Sequence, residues 1–223
     1  MKKTLITTAA LGLLAVSGSS VTALANESTS VGSKTDVTLT AGSGEDVDPI
    51  VPDDTHDDDP STGDTGALSI PYASNITFGQ QEIKQGDTDY FALNKKPHVQ
   101  VNDTRGGAKG WALGVTLSPF MGENGKELTG AKMSLSNGKI VTKNNRSTAP
   151  ELAGTTFELS EDYQEVMSAK EGQGAGAFAV VFEGKDGQNE NVKLHVPRAG
   201  LEAQNYTADL TWVLTDAPDR KSV

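Results

Sequence analysis

The chain has 223 residues, of which 35% are hydrophobic and 5% aromatic, and it contains no cysteine. The absence of cysteine excludes disulfide frameworks, thiolate nucleophiles, zinc–cysteine sites and lipid-modified cysteine anchors. The 30 acidic against 19 basic residues give a net charge of −11, which argues against nucleic-acid binding, because a phosphate backbone calls for an excess of positive charge.

Residues 1–25 have the organisation of a secretory signal peptide. Lys2 and Lys3 begin the segment, an apolar run covers residues 5–16, and Ala23-Leu24-Ala25 offers a cleavage site. Because the apolar run is far shorter than the roughly 20 residues that span a bilayer, a membrane anchor is the less favoured interpretation. The sequence therefore predicts cleavage after this tripeptide, export, and no membrane span in the mature protein.

Acidic side chains dominate the next segment, residues 26–66. It holds eleven acidic residues, one lysine, three prolines and no aromatic residue. Such a composition cannot bury enough apolar surface to offset the entropy lost on ordering. The sequence predicts a disordered, self-repelling acidic tail or linker here, followed by a folded domain over residues 67–223.

From residue 67 onward, apolar side chains recur at every second position. Trp111, Leu113, Val115 and Leu117 form one such stripe. Further stripes run through residues 68–72, 99–101, 178–182, 192–196 and 206–214. Alternation of this period is typical of half-buried strands. Together with the glycine-rich turns between them, these stripes predict an all-β domain that is an antiparallel β-sandwich or barrel-like.

Two local signals refine this prediction. Ser160 is a candidate N-cap, and three apolar side chains after it would share one face of a short helix over residues 160–170. Asn137-Gly138 and Asp186-Gly187 are hairpin signals, because both residue types tolerate positive φ. The expected domain therefore has at most one short helix and several tight hairpins.

The sequence gives little support for catalysis. Its three histidines, His56, His98 and His195, lack the spacing of a metal-ligand pair, and no serine lies in a Gly-x-Ser-x-Gly elbow. The acidic residues near position 161 are read more simply as a solvated face than as the paired carboxylates of a glycosidase. We therefore expect no enzyme activity, and no catalytic, cofactor-binding or metal-binding residues.

The two tryptophans occur in the same short setting, Trp-x-Leu, at residues 111–113 and 212–214. The second motif lies within a longer pattern that starts at Tyr206 and ends at Pro218, and Asp103 and Arg105 precede the first motif. In these motifs the chain resembles the WxL-domain surface proteins of Gram-positive bacteria, over about residues 67–218. The motif residues that carry the resemblance are Trp111, Leu113, Tyr206, Leu210, Thr211, Trp212 and Leu214.

The resemblance implies an exported protein that attaches non-covalently to the cell wall by binding peptidoglycan through its WxL domain. It also implies companion surface proteins at the same location. The alternative function is therefore a protein–protein interaction module that docks such a companion and reaches the wall indirectly. Direct binding to purified peptidoglycan distinguishes the two functions.

The role of the motif residues stays open at the level of sequence. Both tryptophans lie on the apolar face of a predicted strand, which makes them either core residues or supports of a ligand site. Periodicity favours core or half-buried positions, so truncation of Trp212 is expected to destabilise the domain. Two neighbouring strands would bring the Trp-Leu pairs together under a shallow groove. Asp103 and Arg105 are candidate polar contacts to a ligand, or else form a structural salt bridge.

Overall fold

The computed structural model describes residues 32–45, 47–51, 56, 60–199 and 201–216. The predicted signal peptide and Pro218 lie outside these residues. The chain divides into two units, Met1–Thr38 and Leu39–Val223. Of the first unit, residues 32–38 are described, and they are exposed and irregular. The strands and the candidate site belong to the second unit.

Fourteen β-strands make up the regular structure of the described residues. In chain order they are β1 (Leu68–Ala73), β2 (Thr88–Ala92), β3 (His98–Asp103), β4 (Trp111–Leu117), β5 (Met121–Gly122), β6 (Lys132–Ser136), β7 (Lys139–Val141), β8 (Glu151–Leu152), β9 (Thr156–Leu159), β10 (Gln164–Ala169), β11 (Gly176–Val181), β12 (Asn189–Val196), β13 (Tyr206–Thr207) and β14 (Leu210–Asp216). No helix occurs among the described residues. The predicted all-β, sandwich-like fold is confirmed.

The strands form three four-stranded sheets and one two-stranded pair, all antiparallel. Sheet I has the strand order β1-β3-β11-β7, sheet II has β14-β4-β10-β8, and sheet III has β2-β12-β6-β9. The remaining pair is β13-β5. Most neighbours within a sheet are distant in sequence, so the pairing is decided by burial of apolar faces and not by local turns.

The core is built from the apolar stripes that the sequence predicts. Val99 of β3, Leu113 of β4 and Val192 of β12 come from three different sheets, and all are fully buried. The rings of Phe157 and Phe182 meet edge to face, with their centroids 6.5 Å apart, an arrangement that aromatic pairs favour. One apolar core therefore joins the three sheets.

The predicted helix over residues 160–170 is wrong, because residues 164–169 form strand β10 beside β4. The register shifts between Glu165 and Met167, and this irregularity leaves the adjacent residues Val166 and Met167 both buried. Two neighbouring buried residues interrupt the period of two and imitate the spacing of a helix face. Ser160 does accept a hydrogen bond from the N–H of Asp162 at 3.2 Å, but this contact belongs to the turn before the strand.

The two hairpin signals mark turns, and Lys185 and Gln188 form an antiparallel bridge across the second one, but neither turn joins two paired strands of one sheet. Asn137 and Gly187 both have positive φ, at 53° and 75°. The strands on either side of each turn nevertheless belong to different sheets: β6 and β12 lie in sheet III, whereas β7 and β11 lie in sheet I. Turn chemistry fixes the local path of the backbone, while each strand pairs where its apolar face is buried.

Part of the predicted acidic tail lies against the outer face of sheet I. The buried side-chain amide of Gln100 accepts a hydrogen bond from the N–H of Ile50 at 2.8 Å and donates one to the carbonyl of Asp48 at 3.1 Å. Val51 is buried beside Val181 in a small apolar cluster. These contacts use main-chain groups and two apolar side chains, Ile50 and Val51, which composition does not reveal. The boundaries at residues 25 and 66 stay predictions.

A second stretch of the same segment lies along β1. Ala73 donates its N–H to the carbonyl of Pro60 at 2.8 Å, and Thr62 donates its N–H to the carbonyl of Pro71 at 3.0 Å. Together with the contacts at Gln100, these bonds hold the acidic segment to sheet I at two places.

Replacing Gln100 with alanine is expected to release residues 47–51 from sheet I. The change removes two hydrogen bonds to main-chain groups and leaves a cavity, which together cost about 1–3 kcal/mol of unfolding free energy. Amide hydrogen exchange followed by mass spectrometry measures the release. Gln188→Ala serves as the control, since Gln188 is exposed. Unchanged protection of residues 47–51 in the Gln100 variant contradicts this account.

Candidate functional site

The two Trp-x-Leu motifs lie on neighbouring strands of sheet II, β4 and β14. Leu113 is directly opposite Leu214, and Val115 is directly opposite Trp212. Residues that are directly opposite share one face of a sheet, so the two tryptophans and the two leucines are on the same, core-facing side. The two Trp-Leu pairs therefore lie side by side on neighbouring strands.

Trp111 is a core residue. Its side chain is 0% exposed, and its indole Nε1–H donates a hydrogen bond to the carbonyl of Gly174 at 3.0 Å. Gly174 has a φ of 73°, and a Cβ atom at this position would lie 2.7 Å from Nε1 of Trp111. Glycine is therefore required there for both conformational and steric reasons. A ligand has no access to Trp111 in this structure.

Trp212 is half-buried and lines a groove with a volume of about 1660 Å³. The groove lies at the opposite end of β4 and β14 from Trp111, where Leu117 and Leu210 face each other. The groove is also lined by residues 73–83, which run on from the end of β1, and by residues 201–209, which precede β14. Its floor is made of buried apolar side chains, namely Leu117, Leu128, Met133, Leu194 and Val196.

Four further aromatic side chains line the groove: Phe78, Tyr90, Phe120 and Tyr206. Two of them also fix its walls. The hydroxyl of Tyr90 donates a hydrogen bond to the carbonyl of Glu82 at 2.9 Å, and that of Tyr206 donates one to the carbonyl of Glu202 at 3.2 Å. Because each wall is tied to an aromatic residue of the groove, the concave surface is held in shape by its own lining.

The electrostatic character of the groove is acidic. Its described lining residues include Glu82, Glu202 and Asp209 and no lysine, arginine or histidine. At the rim, Glu82 pairs with Lys84 at 3.1 Å, and Glu202 pairs with Lys126. The hydrogen bond to Glu202 raises the pKa of Lys126 above its usual value. Of these three carboxylates, only that of Asp209, directly before β14, has no ion-pair partner among the described residues.

Asp103 and Arg105 form a structural salt bridge. Two guanidinium nitrogens of Arg105, Nε and Nη2, donate to the two carboxylate oxygens of Asp103, each at 2.9 Å. Nη2 also donates to the carbonyl of Gly110 at 2.7 Å, and Nη1 pairs with Asp216. This network ties the end of β3 to the residue before Trp111 and to the end of β14. Neither residue lines the groove.

The structure thus separates the predicted site residues into two groups. Tyr206, Leu210, Thr211 and Trp212 line the groove, whereas Trp111, Leu113, Leu214, Asp103 and Arg105 do not. Sequence reasoning missed the wall formed by residues 73–83. Its one visible signal was Thr77-Phe78-Gly79, which places an aromatic residue, half-buried in the structure, within a polar stretch.

The described part of the chain has neither a metal-ligand cluster nor a membrane-spanning helix. No three histidine, aspartate or glutamate side chains come together as a candidate metal site there. Over the same residues, no helix has the length and apolarity needed to cross a membrane.

Comparison with known proteins supports the motif assignment. A family model described as WxL domain surface cell wall-binding matches residues 26–218, which is most of the chain. No curated protein matches the chain, and no solved structure does. The matched region contains both Trp-x-Leu motifs and every residue of the groove. The chain therefore belongs to the WxL-domain family, whose members bind the cell wall at the cell surface.

Proposed function

We propose that the domain binds peptidoglycan directly and so holds the protein on the wall without a covalent bond. The observation that carries this proposal is the groove at the second Trp-x-Leu motif, where Trp212, Tyr206 and Phe78 line one concave surface. Concave sites with an apolar floor and a few convergent polar groups are the usual form of binding sites for small ligands and chains.

The chemistry of the groove suits a polymer of amides and sugar rings. Aromatic faces stack on the apolar faces of sugars, and the amide and hydroxyl side chains at the rim pair with acetamido and peptide groups. The rim groups of this kind are Asn75, Thr77, Gln80, Gln81 and Asn205. The lack of cationic side chains in the described lining disfavours anionic wall polymers, which need positive partners. The proposed role is binding without catalysis.

Co-sedimentation tests this function. Peptidoglycan stripped of proteins and teichoic acids is incubated with the purified protein, and the bound fraction is measured against protein concentration. We expect saturable binding that needs no second protein. The competing function, docking of a companion surface protein, predicts that the protein stays in the supernatant. Release of soluble muropeptides during the incubation would instead indicate a hydrolase.

A further inference from the structure

We infer that the groove recognises the peptide part of peptidoglycan, and that this peptide lies extended along the open edge of β14. The inference rests on the proposed function and adds to it which chemical part of the polymer is read. It follows from the direction of the main-chain groups of β14, from an amide donor in the groove wall, and from the charge of the groove.

The main-chain groups of β14 alternate in direction. Ser118 donates its N–H to the carbonyl of Asp209 on the β14 side of β4, whereas Leu117 donates its N–H to Ser160 on the other side. Antiparallel pairs alternate between hydrogen-bonded and non-hydrogen-bonded positions. Residues 211, 213 and 215 therefore direct their N–H and C=O groups towards β4. The same groups of Leu210, Trp212 and Leu214 point away from the sheet.

No strand is hydrogen-bonded to this outer edge of β14 in the described structure. Sheet II ends at β14, which pairs with β4 alone. Leu210 and Trp212, two of the residues with outward main-chain groups, also line the groove. An edge strand with unpaired N–H and C=O groups is a template for another extended chain of amides. The groove thus offers a row of main-chain partners in addition to its side chains.

Gln204, in the opposite wall, supplies an unused hydrogen-bond donor. Its Oε1 atom accepts a hydrogen bond from the N–H of Asn124 at 3.2 Å. Its Nε2 atom is shielded from water and has no hydrogen-bond partner among the described residues. A buried donor without a partner is costly. Nε2 lies next to Gly122, and a rotation of the side chain would bring it into the groove that Gln204 lines. A carbonyl group of a bound chain would then satisfy it.

Charge complementarity favours the peptide over the sugar chain as the occupant. The carboxylate of Asp209 lies at the start of β14 and forms no ion pair with a described residue. Peptide stems of peptidoglycan carry a free amine wherever they are not cross-linked, whereas N-acetylated glycan chains carry none. Successive amide groups also match a strand edge, whose spacing is about 3.3 Å per residue. In the glycan chain, the acetamido N–H and C=O groups are side groups of the sugar rings and do not form a continuous main-chain row.

Competition with soluble fragments tests which part is read. The full protein is first bound to intact peptidoglycan, and is then challenged with either peptide-free glycan strands or isolated stem peptides. We expect stem peptides to release the protein and glycan strands to leave it bound. Release by glycan strands alone would overturn the inference and leave the proposed function standing. Failure to bind intact peptidoglycan at all would remove the proposed function itself and favour a protein partner.

Substitution at Leu210 tests the main-chain pairing. Leu210→Pro and Leu210→Ala both remove the leucine side chain, but only proline removes the outward N–H, and an edge position tolerates proline. We expect Leu210→Pro to weaken peptidoglycan binding by at least about tenfold relative to Leu210→Ala. Equal affinity of the two variants would refute the pairing. Their thermal melts are compared so that loss of folding is recognised.

A second pair of measurements does not depend on the folding of the proline variant. Gln204→Glu keeps the acceptor for Asn124 and removes the amide donor, so it is expected to weaken stem-peptide binding by about tenfold. In the unmodified protein, stem peptides are expected to slow hydrogen exchange of the amides of Leu210 and Trp212. Unchanged exchange at both amides with peptide bound contradicts strand addition at this edge.

Discussion

Replacing Trp111 with alanine is expected to lower the free energy of unfolding by about 3–5 kcal/mol, the range for truncating a large aromatic side chain in a core. The side chain is 0% exposed, packs in the main core, and donates a hydrogen bond to Gly174. The substitution removes these contacts and leaves a cavity in the main core.

Thermal and denaturant unfolding of the purified variant measure this loss. In a domain of this size, each kcal/mol of lost unfolding free energy lowers the melting temperature by roughly 2–4 °C. Trp111→Phe is the matched variant, because it keeps an aromatic ring and removes the indole N–H that Gly174 accepts. We expect the melting temperature of this variant to lie between those of the wild type and Trp111→Ala. If the melting temperature of Trp111→Ala equals that of the wild type, Trp111 is not a core residue.

Replacing Trp212 with alanine is expected to weaken binding to peptidoglycan by about tenfold or more, which is about 1.4 kcal/mol. Aromatic residues in partly buried, concave sites are the side chains whose truncation most often reduces binding strongly. Trp212 is half-buried and lines the groove, so the cost to folding should be smaller than at Trp111. The variant is therefore expected to separate binding from stability.

Tyr163→Ala is the matched control for this experiment. Tyr163 is 48% exposed and lies over Gly114 on the opposite face of sheet II, away from the groove. Its truncation removes an accessible aromatic ring but should leave peptidoglycan binding unchanged. If Trp212→Ala and Tyr163→Ala lose peptidoglycan binding equally, exposed aromatic side chains in general, and not the groove, cause the binding. Unaltered binding by a folded Trp212→Ala variant would exclude the groove as the site.

These two expectations separate two tryptophans that periodicity treats alike. The sequence places both tryptophans on apolar stripes and so favours core or half-buried positions for both. In the structure, β4 lies between β14 and β10, whereas β14 lies at the edge of sheet II. A central strand is covered on both sides, but an edge strand leaves part of its inward face open. The same Trp-x-Leu motif therefore produces a core residue in one place and a groove residue in the other.

Local pattern also misled at the bulge of β10 and at the two glycine turns. The two buried neighbours Val166 and Met167 resemble one face of a helix as long as only sequence spacing is considered. Asn137-Gly138 and Asp186-Gly187 have the chemistry of hairpins but connect strands of sheets I and III. In each case the residues have the local property that the sequence indicated, but long-range strand pairing decided which element they belong to.

The sequence by itself determined the class of fold and the family, because alternation of apolar side chains and two Trp-x-Leu motifs are local properties of the chain. It also identified β14 as important. Only the tertiary structure decided that Asp103 and Arg105 hold strand ends together, that residues 73–83 form a groove with β14, and that Trp111 and Trp212 differ. These features depend on which strands become neighbours and which one stays at an edge. That outcome is fixed by burial summed over the whole domain, which no single segment encodes.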